Sequence, residues 1–78
     1  MNRDEIYKYI ENILHDEFEI EPERINPQAN LYTDLEIDSI DAVDLLVYLK
    51  EYTGKKIPPE QFRDVRTIDD VIGAIMAL

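Results

Sequence analysis

The sequence predicts an all-α fold, an antiparallel bundle of three longer helices and one short helix, with a long loop between helices one and two. Three observations predict it. Apolar residues recur at three- and four-residue steps in three separate stretches, the spacing that lines one face of a helix. No stretch alternates apolar and polar residues as a half-buried strand would. The one long aperiodic stretch, residues 19–38, carries two prolines and two asparagines and falls between the first two periodic segments.

Helix one is expected over about residues 2–18. Ile6, Ile10, Ile13 and Leu14, with Glu17, follow a helical step, while Asp4, Glu5, Lys8, Glu11 and Asp16 lie elsewhere. Asn2 is placed to cap the first turn, and Pro22 closes off continuation. The loop that follows would be held by Ile25, Leu31, Leu35 and Ile37. A loop of about twenty residues inside a small domain is uncommon unless it serves a function.

Helix two is the segment SIDAVDLLVYLKEYTG, opening after Asp38 and closing at Gly54. Its apolar residues form two adjoining stripes, Ala42, Leu45, Leu49, Tyr52 and Ile40, Val43, Val47, with Leu46 between them. That arrangement predicts a helix buried around most of its circumference. The remaining stripe, Asp41, Asp44, Tyr48 and Glu51, continues the line of Asp38 along one face. Pro58 and Pro59 permit a short helical turn through residues 60–62. A last helix is expected from Thr67, which can cap it. Asp69 and Asp70 suit its positive end, and Ile68, Val71, Ile72 and Ile75 supply an apolar face.

Seventy-eight residues make one domain, 1–78, too small for a deep catalytic cleft. Apolar residues at 45% are enough for a core and exclude the composition of a disordered chain. With no cysteine, neither disulfides nor thiolate metal sites are available. The start MNRDEIYKYI lacks the apolar region of a signal peptide, and no run is long enough to span a membrane, so the cytoplasm is the expected location. A net charge of -10 argues against nucleic-acid binding and favours partners with basic surfaces. The charge is concentrated: no cation stands between Arg24 and Lys50, while Asp34, Glu36, Asp38, Asp41 and Asp44 crowd into eleven residues.

Catalysis finds little support. Nucleophilic chemistry needs a nucleophile paired with a base, and the only histidine, His15, lies within helix one, where a surface helix residue is the simpler reading. Acid catalysis needs a desolvated carboxyl, which a small convex domain does not provide. Asp34, Glu36 and Asp38 alternate like the first ligands of a calcium loop, but the sixth position is Ser39 instead of glycine and the twelfth is Leu45 instead of glutamate. No metal site is expected. What remains is Asp38-Ser39-Ile40 at the start of helix two. Taken alone it is a helix cap, because both side chains can accept first-turn amides.

The stretch LYTDLEIDSIDAVDLLVYLKEYTGKKIPPEQFRDVRTIDDVI resembles the core of a freestanding acyl carrier protein. The agreement runs from the leading helix through Leu35, Asp38-Ser39-Ile40, acidic helix two, Gly54, Ile57-Pro58 and the final helix led by Thr67. The resemblance implies a monomeric, non-catalytic carrier in fatty-acid or polyketide-type biosynthesis. Its 4'-phosphopantetheine arm, taken from coenzyme A, would be joined to Ser39 between Asp38 and Ile40 and would hold acyl groups as thioesters. Helix two, with Glu36, Asp41, Asp44, Tyr48 and Glu51, would dock basic surfaces on a phosphopantetheinyl transferase, a ketosynthase, an acyltransferase or acyl-ligase and related enzymes. Leu45, Leu46, Val65, Ile68 and Ile75 would wall an acyl pocket, or serve only as core. A serine at a helix start also suits a phosphodiester on physical grounds, since free amides there favour an anion.

Three departures point to a specialised carrier. Glu36 stands where the family usually has glycine, which predicts a different backbone path before Ser39. Lys50 replaces a frequent acid, and Thr53 a frequent aromatic. An aminoacyl or peptidyl carrier would share the fold and arm but differ in cargo; Asp38 and the charge favour acyl cargo. From a different class, an unmodified acidic helical interaction module would share the fold alone.

Overall fold

A computed structural model describes residues 2–78, and its order is α1 (Arg3–Asp16), a 3-10 turn (Pro22–Arg24), α2 (Ser39–Thr53), α3 (Pro59–Phe62) and α4 (Ile68–Met76). The all-α expectation holds: among the described residues there is no strand, only an isolated antiparallel bridge between Asn30 and Thr67.

α1, α2 and α4 each begin where a side chain takes up an orphan amide, whereas α3 opens at Pro58 and Pro59 with no side-chain cap. The Asn2 carbonyl oxygen accepts the Glu5 amide at 2.9 Å, so Asn2 caps α1. The helix ends at Asp16, two residues earlier than its periodicity suggests. Glu19 adopts a left-handed conformation, with φ of 57°, and Ile20 turns into the core. The Ile20 amide donates to Leu14 O at 3.0 Å, and His15 Nδ1 donates to Ile20 O at 3.1 Å. His15 therefore fastens the end of a helix. Gly54 terminates α2 with φ of 72°, where a side chain would be strained.

The core is built from one face of α1 (Ile6, Ile10, Leu14), one of α4 (Ile68, Val71, Ile72, Ile75) and a narrower face of α2 (Ala42, Leu45, Leu49). Each fully buried isoleucine or leucine contributes about 1.5–3 kcal/mol relative to exposure. Tyr9 of α1 stacks on Tyr52 of α2 with centroids 4.0 Å apart, and its hydroxyl donates to Tyr48 O at 3.1 Å. An exposed ion pair between Arg3 and Asp69 joins α1 to α4.

The long loop is ordered because its apolar residues and its backbone are both used. The expected anchors Ile25, Leu31, Leu35 and Ile37 are buried, and Ile20 and Ala29 join them. Backbone bonds sew the loop to the start of α4: Leu31 N to Arg66 O at 2.8 Å, Asp69 N to Pro27 O at 2.9 Å and Ile68 N to Ala29 O at 3.2 Å. Within the loop, Asn30 Oδ1 accepts the amides of Tyr32 and Thr33, and the Asp34 carboxylate accepts that of Asn30.

One expectation about α2 is overturned. Its second apolar stripe is not buried: Ile40, Val43 and Val47 are 72%, 58% and 51% exposed. The element facing that side, α3, is a single turn and cannot cover it.

The start of α4 carries a capping box. The Thr67 hydroxyl accepts the Asp70 amide, and the Asp70 carboxylate accepts the amides of Thr67 and Arg66, all at 3.1 Å. These backbone bonds, Thr67's first, hold the Asp70 carboxyl below its ordinary range. A pKa lowered by folding stabilises above the unfolded value, near 4, and that contribution is lost as pH falls through the folded value. Asp70→Asn should therefore be less stable at neutral pH and should lose less stability on acidification below about pH 4, as read from urea midpoints across pH. Gly73 sits within α4 with nothing within 4 Å of where a Cβ would stand. Gly73→Ala should raise the unfolding free energy by about 0.5–1 kcal/mol in the same titration.

Candidate functional site

Ser39 is the first residue of α2 and is exposed. Its position follows from the two residues before it. Ile37 is buried, and its amide donates to Leu31 O at 2.9 Å. Asp38 is extended, and its Oδ1 accepts the Asp41 amide at 2.9 Å. With one neighbour anchored in the core and the next serving as cap, the Ser39 side chain is left at the surface. Among the described residues its hydroxyl makes no hydrogen bond. Asp38 uses one first-turn amide, and the others have no acceptor within the helix.

The loop ahead is acidic but not unopposed. Arg24 donates to the Asp34 carbonyl and lies 3.9 Å from the Glu36 carboxylate. Glu36 has φ of 56°. The backbone is thus in the left-handed region that a glycine enters without strain and a glutamate enters at a cost. Asp34, Glu36 and Asp38 serve three different partners, the Asn30 amide, Arg24 and the Asp41 amide.

The predicted stripe on α2 is present as a face. Asp44 and Glu51 are exposed, and Asp41 and Tyr48 are half-buried. Tyr48 is also tied to the end of α1. Its hydroxyl donates to Glu17 Oε2 at 3.2 Å, and its ring meets Phe18 edge-on at 6.4 Å. Partial desolvation, then the charges of Glu17, Asp44 and Glu51, push the phenol pKa upward. Beside the acids runs the exposed row Ile40, Val43 and Val47.

On the far side of that row, two shallow grooves sharing Val43, Leu46 and Pro59 separate α2 from α3 and the segment before it. One, of about 210 Å³, starts at Ser39 and includes Tyr32, Phe62 and Arg63. The other, of about 330 Å³, extends to Lys50, Lys56 and Ile57. Of the candidate pocket residues, Leu45, Val65, Ile68 and Ile75 are packed in the core, and Leu46 alone lines the grooves. A wider depression on α1, among Asn2, Tyr7, Lys8 and Glu11, shares no residue with this face.

An exposed serine hydroxyl free of internal bonds, beside amides without acceptors and at the mouth of an apolar groove, fits a phosphate-linked arm. Comparison with known proteins bears on the chain as a whole. The family described as "Phosphopantetheine attachment site" matches residues 8–75. The chain is 49% identical to "Acyl carrier protein 2" of Ralstonia nicotianae over 78 residues, covering all of this chain and 96% of that one. It is 36% identical to "Acyl carrier protein" of Thermosynechococcus vestitus over 75 residues, covering 96% and 93%. It is 35% identical to "Meromycolate extension acyl carrier protein" of Mycobacterium bovis over 78 residues, covering all of this chain and 68% of that one.

The left-handed turn before Ser39 has a measurable cost. Glu36→Gly should stabilise the fold by about 1 kcal/mol, beyond the loss of the exposed contact with Arg24. Glu36→Ala, which keeps the strain, should give no such gain; equal urea midpoints for the two variants would show that the turn is unstrained.

Proposed function

This chain belongs to the acyl carrier protein family, and we propose on that premise that its covalent 4'-phosphopantetheine arm is joined to Ser39. The observation that carries the assignment is that Ser39 is the only serine in the chain and stands exposed at the start of α2. The arm supplies a terminal thiol that holds acyl groups as thioesters, a group no side chain here can provide because the chain has no cysteine.

Attachment needs a partner. No histidine or lysine stands near enough in sequence to serve Ser39 as a base: the neighbours are Asp38, Ile40 and Asp41, and Asp38 is engaged as a cap. We therefore assign deprotonation to a separate Mg-dependent phosphopantetheinyl transferase. The Ser39 oxygen attacks the phosphorus of coenzyme A that bears the pantetheine, and a P–O bond forms. The pyrophosphate P–O bond breaks, the nucleotide bisphosphate leaves, and the serine proton passes to the transferase. The chain's own part is to present the oxygen, and on this reading it is a carrier without catalysis of its own.

The exposed face of α2 is the proposed docking surface. Asp41, Asp44 and Glu51, with Glu36 beside the attachment point, steer basic partners such as a ketosynthase, an acyltransferase or acyl-ligase, and screened, long-range attraction suits fast, reversible encounters. Ile40, Val43 and Val47 add apolar area at the centre of that face, where a rim of charge around a desolvated patch supports specific contact. Tyr48, tied to Glu17, acts in this proposal by fixing the position of α2 against α1.

The test is modification of the purified chain with coenzyme A and a broad-specificity phosphopantetheinyl transferase, followed by intact-mass measurement and peptide mapping. The wild type should gain the mass of one phosphopantetheine on the peptide containing Ser39. Ser39→Ala, shown to be folded by circular dichroism, should gain none. An unmodified wild type, or a mass gain in Ser39→Ala, would overturn the assignment.

A further inference from the structure

We infer that the grooves between α2 and α3 form a track for the chain's own loaded arm, cationic at both ends, with Lys50 and Lys56 placed to receive a short acyl group that ends in a carboxylate. The inference rests on the attachment reading for Ser39 and adds a class of cargo to it.

Charge placement is the first ground. The chain has eighteen acidic and eight basic residues, so several unengaged cations gathered on one face are notable. Arg3 and Arg24 are paired with Asp69 and Glu36. Lys55 donates to Leu78 O, and Arg66 to the carbonyls of Arg63 and Val65. Lys8, Lys50, Lys56 and Arg63 have no ion pair and donate no side-chain hydrogen bond among the described residues; Lys8 lies on α1, and the other three line the grooves. They come from separate segments, and the fold gathers them along one side of α2.

Order along the groove is the second ground. Arg63 shares the first groove with Ser39, where a phosphodiester would carry its negative charge. The middle is apolar, with Val43, Leu46 and Pro59 common to both grooves. Lys50 and Lys56 stand at the far end. Length agrees as well. From Ser39 to Lys50 the helix advances about 16 Å. The arm's bonded path from serine Cβ to sulfur is about that of five extended residues, about 17 Å. The acyl group would begin beside the two lysines, and a carboxylate a few bonds beyond the thioester would lie within their reach.

The test loads the intact chain with succinyl- or butyryl-phosphopantetheine from the corresponding acyl coenzyme A and compares nitrogen-resolved NMR spectra. The succinyl form should shift the signals of Lys50, Lys56 and Ile57 relative to the butyryl form. That difference should collapse in about 1 M salt, where screening acts over about 3 Å. It should be lost in Lys50→Gln/Lys56→Gln, whose exposed positions leave the fold intact by circular dichroism. Arg63→Gln should alter signals around Ser39 equally for both cargoes. The proposal is overturned if both cargoes give the same shifts at residues 50–57, as they would if the lysines served an acidic partner surface instead. It is also overturned if the succinyl-specific shifts survive the double variant. A chain that takes no arm at Ser39 removes the premise, and that failure is seen by mass before any spectrum is recorded.

Discussion

The bond from the Leu31 amide to the Arg66 carbonyl, at 2.8 Å, is the constraint on which the rest of this small structure depends. It holds the middle of the long loop against the start of α4, beside the bonds from Ile68 and Asp69 to Ala29 and Pro27. Leu31 in turn accepts the amide of Ile37, so α4, the loop and the first residue before the α2 cap form one connected backbone path. One such bond contributes about 1 kcal/mol net. Their effect is cooperative, because each is closed by a buried side chain next to it, and the summed burial of Ile25, Ala29, Leu31, Leu35 and Ile37 offsets the entropy of ordering the loop. The exposure of Ser39 is an outcome of this path.

Much of the fold is legible in the sequence because its signals are local. Asn2, Asp38 and Thr67 cap three helices, and Gly54 ends one, through bonds or dihedral preferences that involve only neighbours within a few residues. The loop anchors are legible too, since an isolated isoleucine or leucine in a polar stretch needs somewhere to be buried. The left-handed turns at Glu19 and Glu36 were not legible. Nothing in a glutamate signals positive φ. The conformation is imposed by anchors on either side, Ile20 at the first turn and Leu35 with Ile37 at the second.

The site divides in the same way. Ser39 and its cap follow from the order Asp-Ser before a helical stretch. The exposure of the apolar row Ile40, Val43 and Val47 is not legible, because periodicity reports which residues share a stripe, not whether another element covers it. Coverage depends on α3, and a turn of four residues between Pro59 and Phe62 is too short to shield α2. The convergence of Lys50, Lys56 and Arg63 on adjoining grooves is tertiary information for the same reason: the three residues lie in α2, in the segment after it and just past α3.

The two flanks of α2 bear opposite charge, with Asp41, Asp44 and Glu51 on one side of the apolar row and Lys50, Lys56 and Arg63 on the other. The helix therefore has an electric moment across its axis as well as along it. In the field of a basic surface such a body feels a torque that rolls its acidic flank forward before contact. Much of the rotational search is completed in solution, and fewer collisions arrive misoriented. The roll also turns the Ser39 groove toward the rim of any contact instead of its centre. A carrier seated in that way would keep its arm unobstructed, with room to swing into an enzyme and back while the docked face stays in place.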